Sequence, residues 1–342
     1  MSVAIKKLDR SSLLAWDMFV EKSPRATFFH KSGWMRVIEE AFGHRTHFLY
    51  AEEDGLVVGV LPLAHVKSVL FGNSLVSTPF CVYGGIVADN KHISDLLRRE
   101  ACELARRLNV DSLELRHQEK SDSEWLRKDL YVTFKKSIVQ DPDEVLLSIP
   151  NKQRAVVRKG IKSGLSAGEG WHGKRMHNVY SESVRNLGTP VFTKHYFDIL
   201  RDVFGDDCRS LMIQHNGIDV AGVLSFYFRD QVLPYYAGST NSSKGLHAHG
   251  YMYWALMKNA SEQGLKTFDF GRSKVETGSY SFKKNWGFKP EPLYYEYHLV
   301  NSDSIPNVNP TNPKYDLLIK AWKNLPLPVA NVIGPWLAKS LG

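Results

Sequence analysis

The sequence predicts a mixed α/β protein made of two tandem copies of one unit, followed by a helical tail. Three observations lead there. First, apolar patterning in residues 1–150 runs helix, hairpin, third strand, long helix, strand, and residues 151–300 repeat that order. Second, each hairpin carries its own turn signal, Glu53-Asp54-Gly55 in the first half and Asn216-Gly217 in the second. Third, the composition shifts at residues 301–313 (NSDSIPNVNPTNP), a polar stretch with three prolines that ends the repeat. The repetition is one of architecture, not of residue identity. The junction between the copies is expected near Pro150, after Asp141-Pro142-Asp143.

In the first copy, residues 34–41 (WMRVIEEA) have helical spacing. Residues 46–52 alternate as a strand, 56–70 return from the hairpin, and 74–87 form a third extended run containing Gly84-Gly85. Residues 93–108 are amphipathic, with Leu96, Leu97, Ala101, Leu104, Ala105 and Leu108 near one face. Strands at 111–116 and 131–139 complete this copy.

The second copy opens with helical patterns at 151–165, 176–186 and 195–203. Strands follow at 211–215, 220–229 and 231–237, then a helix at 251–263 that is apolar on most sides. Strands at 267–270 and 293–300 close it. In the tail, residues 314–325 read as a helix carrying Trp322, and 325–341 (LPLPVANVIGPWLAKSL) are apolar and broken by three prolines. That last segment is expected either to clasp the body or to touch a membrane or lipid-linked substrate.

A chain of 342 residues with 43% apolar content can bury a sizeable core. Lys and Arg number 44 against 36 Asp and Glu, a net charge of +8. This suggests an anionic partner, whether phosphorylated metabolite, tRNA, acyl-CoA or acidic membrane. Cys81, Cys102 and Cys208 show no CxxC spacing, which fits a reducing compartment. The N-terminal residues lack a signal-peptide core, and no apolar run reaches the roughly 18 residues of a membrane span. A cytoplasmic location, peripheral to the inner membrane at most, is the resulting expectation.

Three segments carry candidate chemistry. Residues 151–165 (NKQRAVVRKGIKSGL) have five basic residues and no acid. As a helix they gather Lys152, Arg154, Arg158, Lys159 and Lys162 within roughly 160° of arc, opposite Val156, Val157 and Ile161. Without interleaved acids such a face is suited to an anion rather than to simple solvation. Residues 269–288 (DFGRSKVETGSYSFKKNWGF) read as a strand end at Asp269, a loop with Arg272, Lys274 and Glu276, and an aromatic-basic loop with Tyr280, Phe282, Lys283, Lys284 and Trp286. Aromatic and cationic groups together can stack a flat group and neutralise phosphate or a developing oxyanion. The third segment joins Tyr235-Tyr236-Ala237-Gly238-Ser239 to His247, His249 and Gly250 before the long helix. A loop entering a helix offers free backbone N–H groups to an anion or a thioester carbonyl.

Other chemistry is excluded by what these motifs lack. Asp269-Phe270-Gly271 stands without the glycine-rich and His-Arg-Asp loops of a kinase. GxSxG, HExxH, GxxxxGK[ST] and a strand-following GxGxxG are absent, which disfavours serine hydrolases, zinc proteases, NTPases and dinucleotide dehydrogenases. His247 and His249 at i, i+2 make no metal site by themselves, and no metal is expected.

These segments resemble the FemAB-like branch of the GNAT acyltransferase superfamily, most closely the FemAB-related proteins associated with exosortase/PEP-CTERM systems. The likeness is carried by NKQRAVVRKGIKSGL, LGTPVFTKHYFDIL (187–200), YYAGS (235–239), FDFGRSKVETGSYSFKKNWGF and the following PLYYEYHL (292–299). The end, AWKNLPLPVANVIGPWLAKSL, is also similar. The resemblance implies two GNAT-like domains, here 1–150 and 151–300, with 301–342 as linker and tail. It also implies acyl or aminoacyl transfer to an amine, in exopolysaccharide or cell-envelope biosynthesis. The donor would be acyl-CoA, acyl carrier protein or aminoacyl-tRNA, with no tightly bound cofactor. The acceptor would be an amine on a nucleotide- or lipid-linked molecule. The family's pyrophosphate loop, [QR]xxGx[GA], is not intact at 89–92 or 244–248.

In FemAB enzymes a Phe-Lys pair lies at the reaction centre, and Phe282-Lys283 matches it. Lys283 is then expected to stabilise the oxyanion, with Tyr280 and Arg272 positioning the substrate. Arg154, Arg158 and Lys159 would hold a phosphate, and Tyr235, Tyr236 and Phe282 would line the substrate site. Asp269, Glu276 and His249 are the candidates for a general base. Two other classes remain beside this one: a non-catalytic binding module of an exopolysaccharide assembly, and an RNA-binding protein using the basic helix.

Overall fold

The computed structural model describes residues 3–68, 72–306 and 316–340. It divides into two compact units. One comprises Met1–Leu130, Pro292–Asn312 and Lys339–Gly342, the other Tyr131–Glu291 and Pro313–Ala338.

The first stretch of chain forms β1 (Ala4–Lys7), α1 (Leu13–Lys22), α2 (Gly33–Phe42), β2 (Arg45–Thr46), β3 (Leu49–Glu53), β4 (Leu56–Leu61), β5 (Leu63–Ser68), β6 (Gly72–Ser77), β7 (Val87–Ala88), α3 (Lys91–Arg107), β8 (Ser112–His117) and β9 (Leu126–Lys128). Asp54 and Gly55, at φ 50° and 79°, make the tight turn between β3 and β4. The single returning strand expected after that hairpin is two strands. Pro62 has no N–H to extend the ladder, and its carbonyl instead accepts from Thr78 N at 2.9 Å. Asn90 caps α3 by accepting from Ile93 N at 3.0 Å, and the helix buries Ile93, Leu97, Ala101, Leu104 and Ala105.

The chain continues through β10 (Tyr131–Ser137), α4 (Asn151–Lys162), β11 (Ser166–Gly170), α5 (Gly173–Leu187), α6 (Lys194–Phe204), β12 (Cys208–His215), β13 (Ile218–Phe228), β14 (Gln231–Ser239), α7 (Ala248–Glu262), β15 (Thr267–Asp269), β16 (Ser273–Lys274), α8 (Gly278–Asn285) and β17 (Lys289–Pro292). Then come β18 (Tyr294–Leu299), α9 (Asp316–Lys323) and α10 (Leu327–Ala338).

Among the described residues the first unit holds one sheet in the order β1-β3-β4-β7 and another in the order β2-β5-β6-β8-β18-β9. The second unit has a single sheet, β11-β12-β13-β14-β15-β10-β16, with β17 on β10. Two strands therefore sit in the opposite unit from the one the sequence order suggests. β10 pairs β15, with Lys135 opposite Asp269, and β18 pairs β8, with Tyr295 opposite Arg116. The units consequently differ from a simple division at residues 150 and 300. Alternation shows that a strand is half-buried, not which sheet takes it. For β18 the selection is visible in Glu296. This carboxylate is fully buried and accepts from Ser121 Oγ (2.6 Å), Ser123 Oγ (2.9 Å) and, in β9, Arg127 Nε (3.0 Å), all from the first unit.

In the second unit α5 packs on β13 and β14, where Gly222 and Gly238 make room for it. Val157 of α4, Met252 and Leu256 of α7, Phe134, Phe268 and Trp286 share another core. β14 and β15 run parallel but pair only at Gln231–Thr267 and Val232–Phe268. Beyond these pairs β15 ends at Asp269 while β14 continues to Ser239, so the two strands part. Opposite β13 the register of β14 passes from Tyr236 to Pro234, leaving Tyr235 as the extra residue of a bulge.

Candidate active site

α7 begins at the end of the gap where β14 and β15 separate. Residues 240–246 wind through short turns, and His247 enters the left-handed region at φ 57°. No side chain caps the helix. The amides of Ala248, His249 and Gly250 therefore have no intrahelical acceptor and form a site for negative charge. They border an open cavity of about 320 Å³, lined also by Gln153 and Val156 of α4, Ser239, Ser243 and Phe282 of α8.

The approach of α4 to this cavity is set by two glycines. A Cβ on Gly160 would stand 2.9 Å from Tyr251 Cβ, and one on Gly250 would stand 3.0 Å from Val156 Cγ1. The apolar face of α4 is thus Val157 and Gly160, both buried, with Val156 half-buried. Ile161, expected among them, is 41% exposed, because the glycine one position earlier takes the contact with α7.

Two of the expected site residues meet at this cavity. His249 is half-buried, edge-on to Tyr253 (5.7 Å) and Phe282 (6.3 Å), and makes no hydrogen bond to another described residue. Burial lowers its pKa below the usual imidazole value, which keeps the ring neutral and able to accept a proton. Phe282 packs against Tyr253, Phe270 and Trp286 while its ring lines the opening.

Lys283 forms a different arrangement. The aromatic-basic segment expected as a loop is the helix α8, N-capped by Thr277, and it turns Lys283 inward. Its ammonium donates to the carbonyls of Phe270 (2.7 Å), Gly271 (3.0 Å) and Arg272 (3.0 Å). Burial lowers its pKa to about 7. All three donors of the ammonium are engaged with these carbonyls, so Lys283 braces the 270–272 loop. Asp269 belongs to the same brace. It is buried, accepts from Gly271 N at 2.7 Å, and stands 3.6 Å from Lys135 Nζ. A carboxylate held this way is not a free base. Tyr280 packs edge-on to Phe134 at 5.5 Å, and Arg272 lies over the ring of Tyr131 at 4.6 Å. Glu276, the remaining base candidate, is exposed with φ 63°.

The other expected residues lie apart from the cavity. Arg154 turns back on its own helix start, donating through Nη2 to Leu147 O (2.7 Å) and Ile149 O (3.0 Å). Arg158 and Lys159 stay exposed on α4. Tyr236 is buried with Tyr180, Phe192 and Phe197, and its hydroxyl meets that of Tyr196 at 2.7 Å. Burial raises its pKa well above the usual phenol value, so it is a core residue. Tyr235, at the bulge, packs on Phe226 at 5.1 Å.

Ser239 and His247, named in the third candidate segment, also line the cavity, whereas Gln153 and Ser243 carried no expectation from the sequence. The signal available was a run of small polar residues and glycines, 239–250, between a strand and an apolar helix.

Residues 151–284 match the acetyltransferase (GNAT) domain family. A stretch of 90 residues is 31% identical to the lipid II:glycine glycyltransferase of Staphylococcus haemolyticus, covering 24% of this chain and 22% of that protein. Among solved structures, the crystal structure of FemX superposes with a TM-score of 0.66 at 16% identity, covering 92% of this chain and 100% of that one. A tandem GNAT protein from the clavulanic acid biosynthesis pathway gives 0.58 at 14% identity, over 89% of this chain and all of its own. Residues 151–284 therefore match the GNAT domain family, in a chain with the fold of the tandem GNAT proteins.

Proposed function

We propose that the chain is a FemAB-like N-acyltransferase that holds its activated donor in the cavity at the start of α7. The observation that carries this reading is the cavity between the end of β14 at Ser239, Phe282 of α8 and the uncapped start of α7 at Ala248, His249 and Gly250. An anionic part of the donor is held by the amides of that helix start. Arg158 and Lys159, exposed on the helix that supplies Gln153 and Val156, favour a donor whose remainder carries phosphates. Acyl-CoA, acyl carrier protein and aminoacyl-tRNA all share that chemistry.

The acceptor amine attacks the donor carbonyl. A C–N bond forms, the C–S or C–O bond to the carrier breaks, and the carrier leaves with a proton. No enzyme nucleophile is needed, because the donor is already activated and the site supplies proximity. His249, neutral and with no hydrogen-bond partner among the described residues, takes the proton from the attacking amine. Lys283 acts indirectly by fixing the 270–272 loop beside Phe282. The acceptor belongs to cell-envelope or exopolysaccharide assembly. This is supported by the partial match to a lipid II:glycine glycyltransferase and by the resemblance to exosortase-associated proteins.

The test is a mass-spectrometric transfer assay crossing the three donor classes with amine acceptors. One donor should be consumed, and His249→Gln should reduce turnover roughly 10²–10⁴-fold. Absence of transfer from every donor class would refute the proposal. Undiminished turnover by a folded His249→Gln variant would remove His249 from it.

A further inference from the structure

The tail helix α10 packs with its faces inverted. Ala330, Gly334 and Ala338 are its buried residues, and a Cβ on Gly334 would stand 2.9 Å from Val191 N. The large side chains face away. Val332 is 78% exposed, Trp336 65% and Ile333 43%, with Val329 beside them. At about 100° per residue these four share one face of about 100° of arc, opposite the small residues. An amphipathic helix that only clasped the body would bury its large apolar side and expose its small one. In α10 the large side chains that would bury the most apolar surface are the ones left uncovered.

From the start of α9 onward the charged residues are Asp316, at the first position of that helix, and three lysines. Residues 317–340 contain Lys320, Lys323 and Lys339 and no acid. All three lysines are exposed. Leu318 of α9 is also exposed. An apolar face bearing a tryptophan, on a tail with three lysines to one acid, has the composition of a helix that lies in the plane of an anionic bilayer. No helix among the described residues is long and apolar enough to cross a membrane, so the contact is one of surface insertion.

We propose that the Val329–Val332–Ile333–Trp336 face of α10 docks into an anionic lipid surface, with Lys320, Lys323 and Lys339 pairing with lipid headgroups. This inference is independent of the acyl-transfer reading, and its test needs no substrate.

The experiment is flotation of the full chain with vesicles of phosphatidylcholine alone and of phosphatidylcholine mixed with phosphatidylglycerol. The chain should float with the mixed vesicles and much less with phosphatidylcholine. Raising the salt should release it. Lys320→Gln, Lys323→Gln and Lys339→Gln together should lower partition onto the mixed vesicles roughly a hundredfold. Val332→Ser with Trp336→Ser should lower it about tenfold or more. These positions are exposed, so melting temperatures should be unchanged, and the salt and lipid arms on the unaltered chain stand even if a variant misfolds. Failure of the unaltered chain to bind the mixed vesicles at low salt would overturn the proposal. So would a dimer in sedimentation velocity that the Val332→Ser, Trp336→Ser variant disperses, because the face would then belong to a second copy.

Discussion

Gly160 of α4 and Tyr251 of α7 lie so close that a methyl group on the glycine would stand 2.9 Å from Tyr251 Cβ. This contact holds the basic helix against the start of α7 and so forms one wall of the cavity. Gly160→Ala sets two effects against each other. Alanine gains about 1 kcal/mol in helix propensity. Overlap with a β-carbon that cannot rotate away costs about 1–3 kcal/mol. The second effect should win. Thermal melting should show a net loss of stability, and donor affinity should fall as Val156 and Gln153 move. A raised melting temperature would mean that the two helices separate freely.

Lys283→Met should destabilise the protein by about 1–3 kcal/mol, because three carbonyls lose their donor. Denaturant titration reads this directly. The pH dependence gives an independent check. Folded, Lys283 releases its proton near pH 7, and unfolded near its ordinary value of 10.5. Between those values the unfolded chain binds more protons, so the unaltered protein gains stability relative to the variant as the pH rises. A variant as stable as the parent across that window would return Lys283 to a solvated or catalytic role.

The first unit should weaken in acid. His30 and His47 are buried and His117 is largely covered, and desolvation lowers the pKa of each from the ordinary 6.5 to about 4. His30 is held neutral between Thr27 N and the carbonyl of Gly85. Below pH 6.5 the unfolded chain takes up protons that the folded chain refuses, so stability present above 6.5 is lost progressively towards pH 4. Melting temperatures measured from pH 7.5 down to 4 should fall through that range. A flat profile would contradict the burial of these rings.

How much of this was legible in the sequence depended on whether the signal was local. The hairpin turns at Asp54-Gly55 and Asn216-Gly217 were readable because left-handed backbone selects for such residues. The amphipathic face of α3 was readable from its spacing. The placement of β10 and β18 was not, because Tyr131–Ser137 and Tyr294–Leu299 carry the same alternation whichever sheet receives them. The site divided in the same way. His249 and Phe282 were flagged from their place beside a helix entrance and in an aromatic run. The direction taken by Lys283 depends on the helix start at Thr277 and on carbonyls more than ten residues upstream. The carbonyl contacts of Arg154 were not legible, because a basic residue in the first turn of a helix can serve the preceding carbonyls as readily as an outside anion.

Hydrogen exchange across the amides of residues 245–250 tests the central claim most directly. Acetyl-CoA, an acylated carrier protein and aminoacyl-tRNA would each be added to the intact chain, with exchange followed residue by residue. The account predicts that one of these donors slows exchange at Ala248, His249 and Gly250, the amides without helical acceptors, and leaves the first unit unchanged. Unchanged exchange at these amides with all three donors, or protection confined to the first unit, would contradict it.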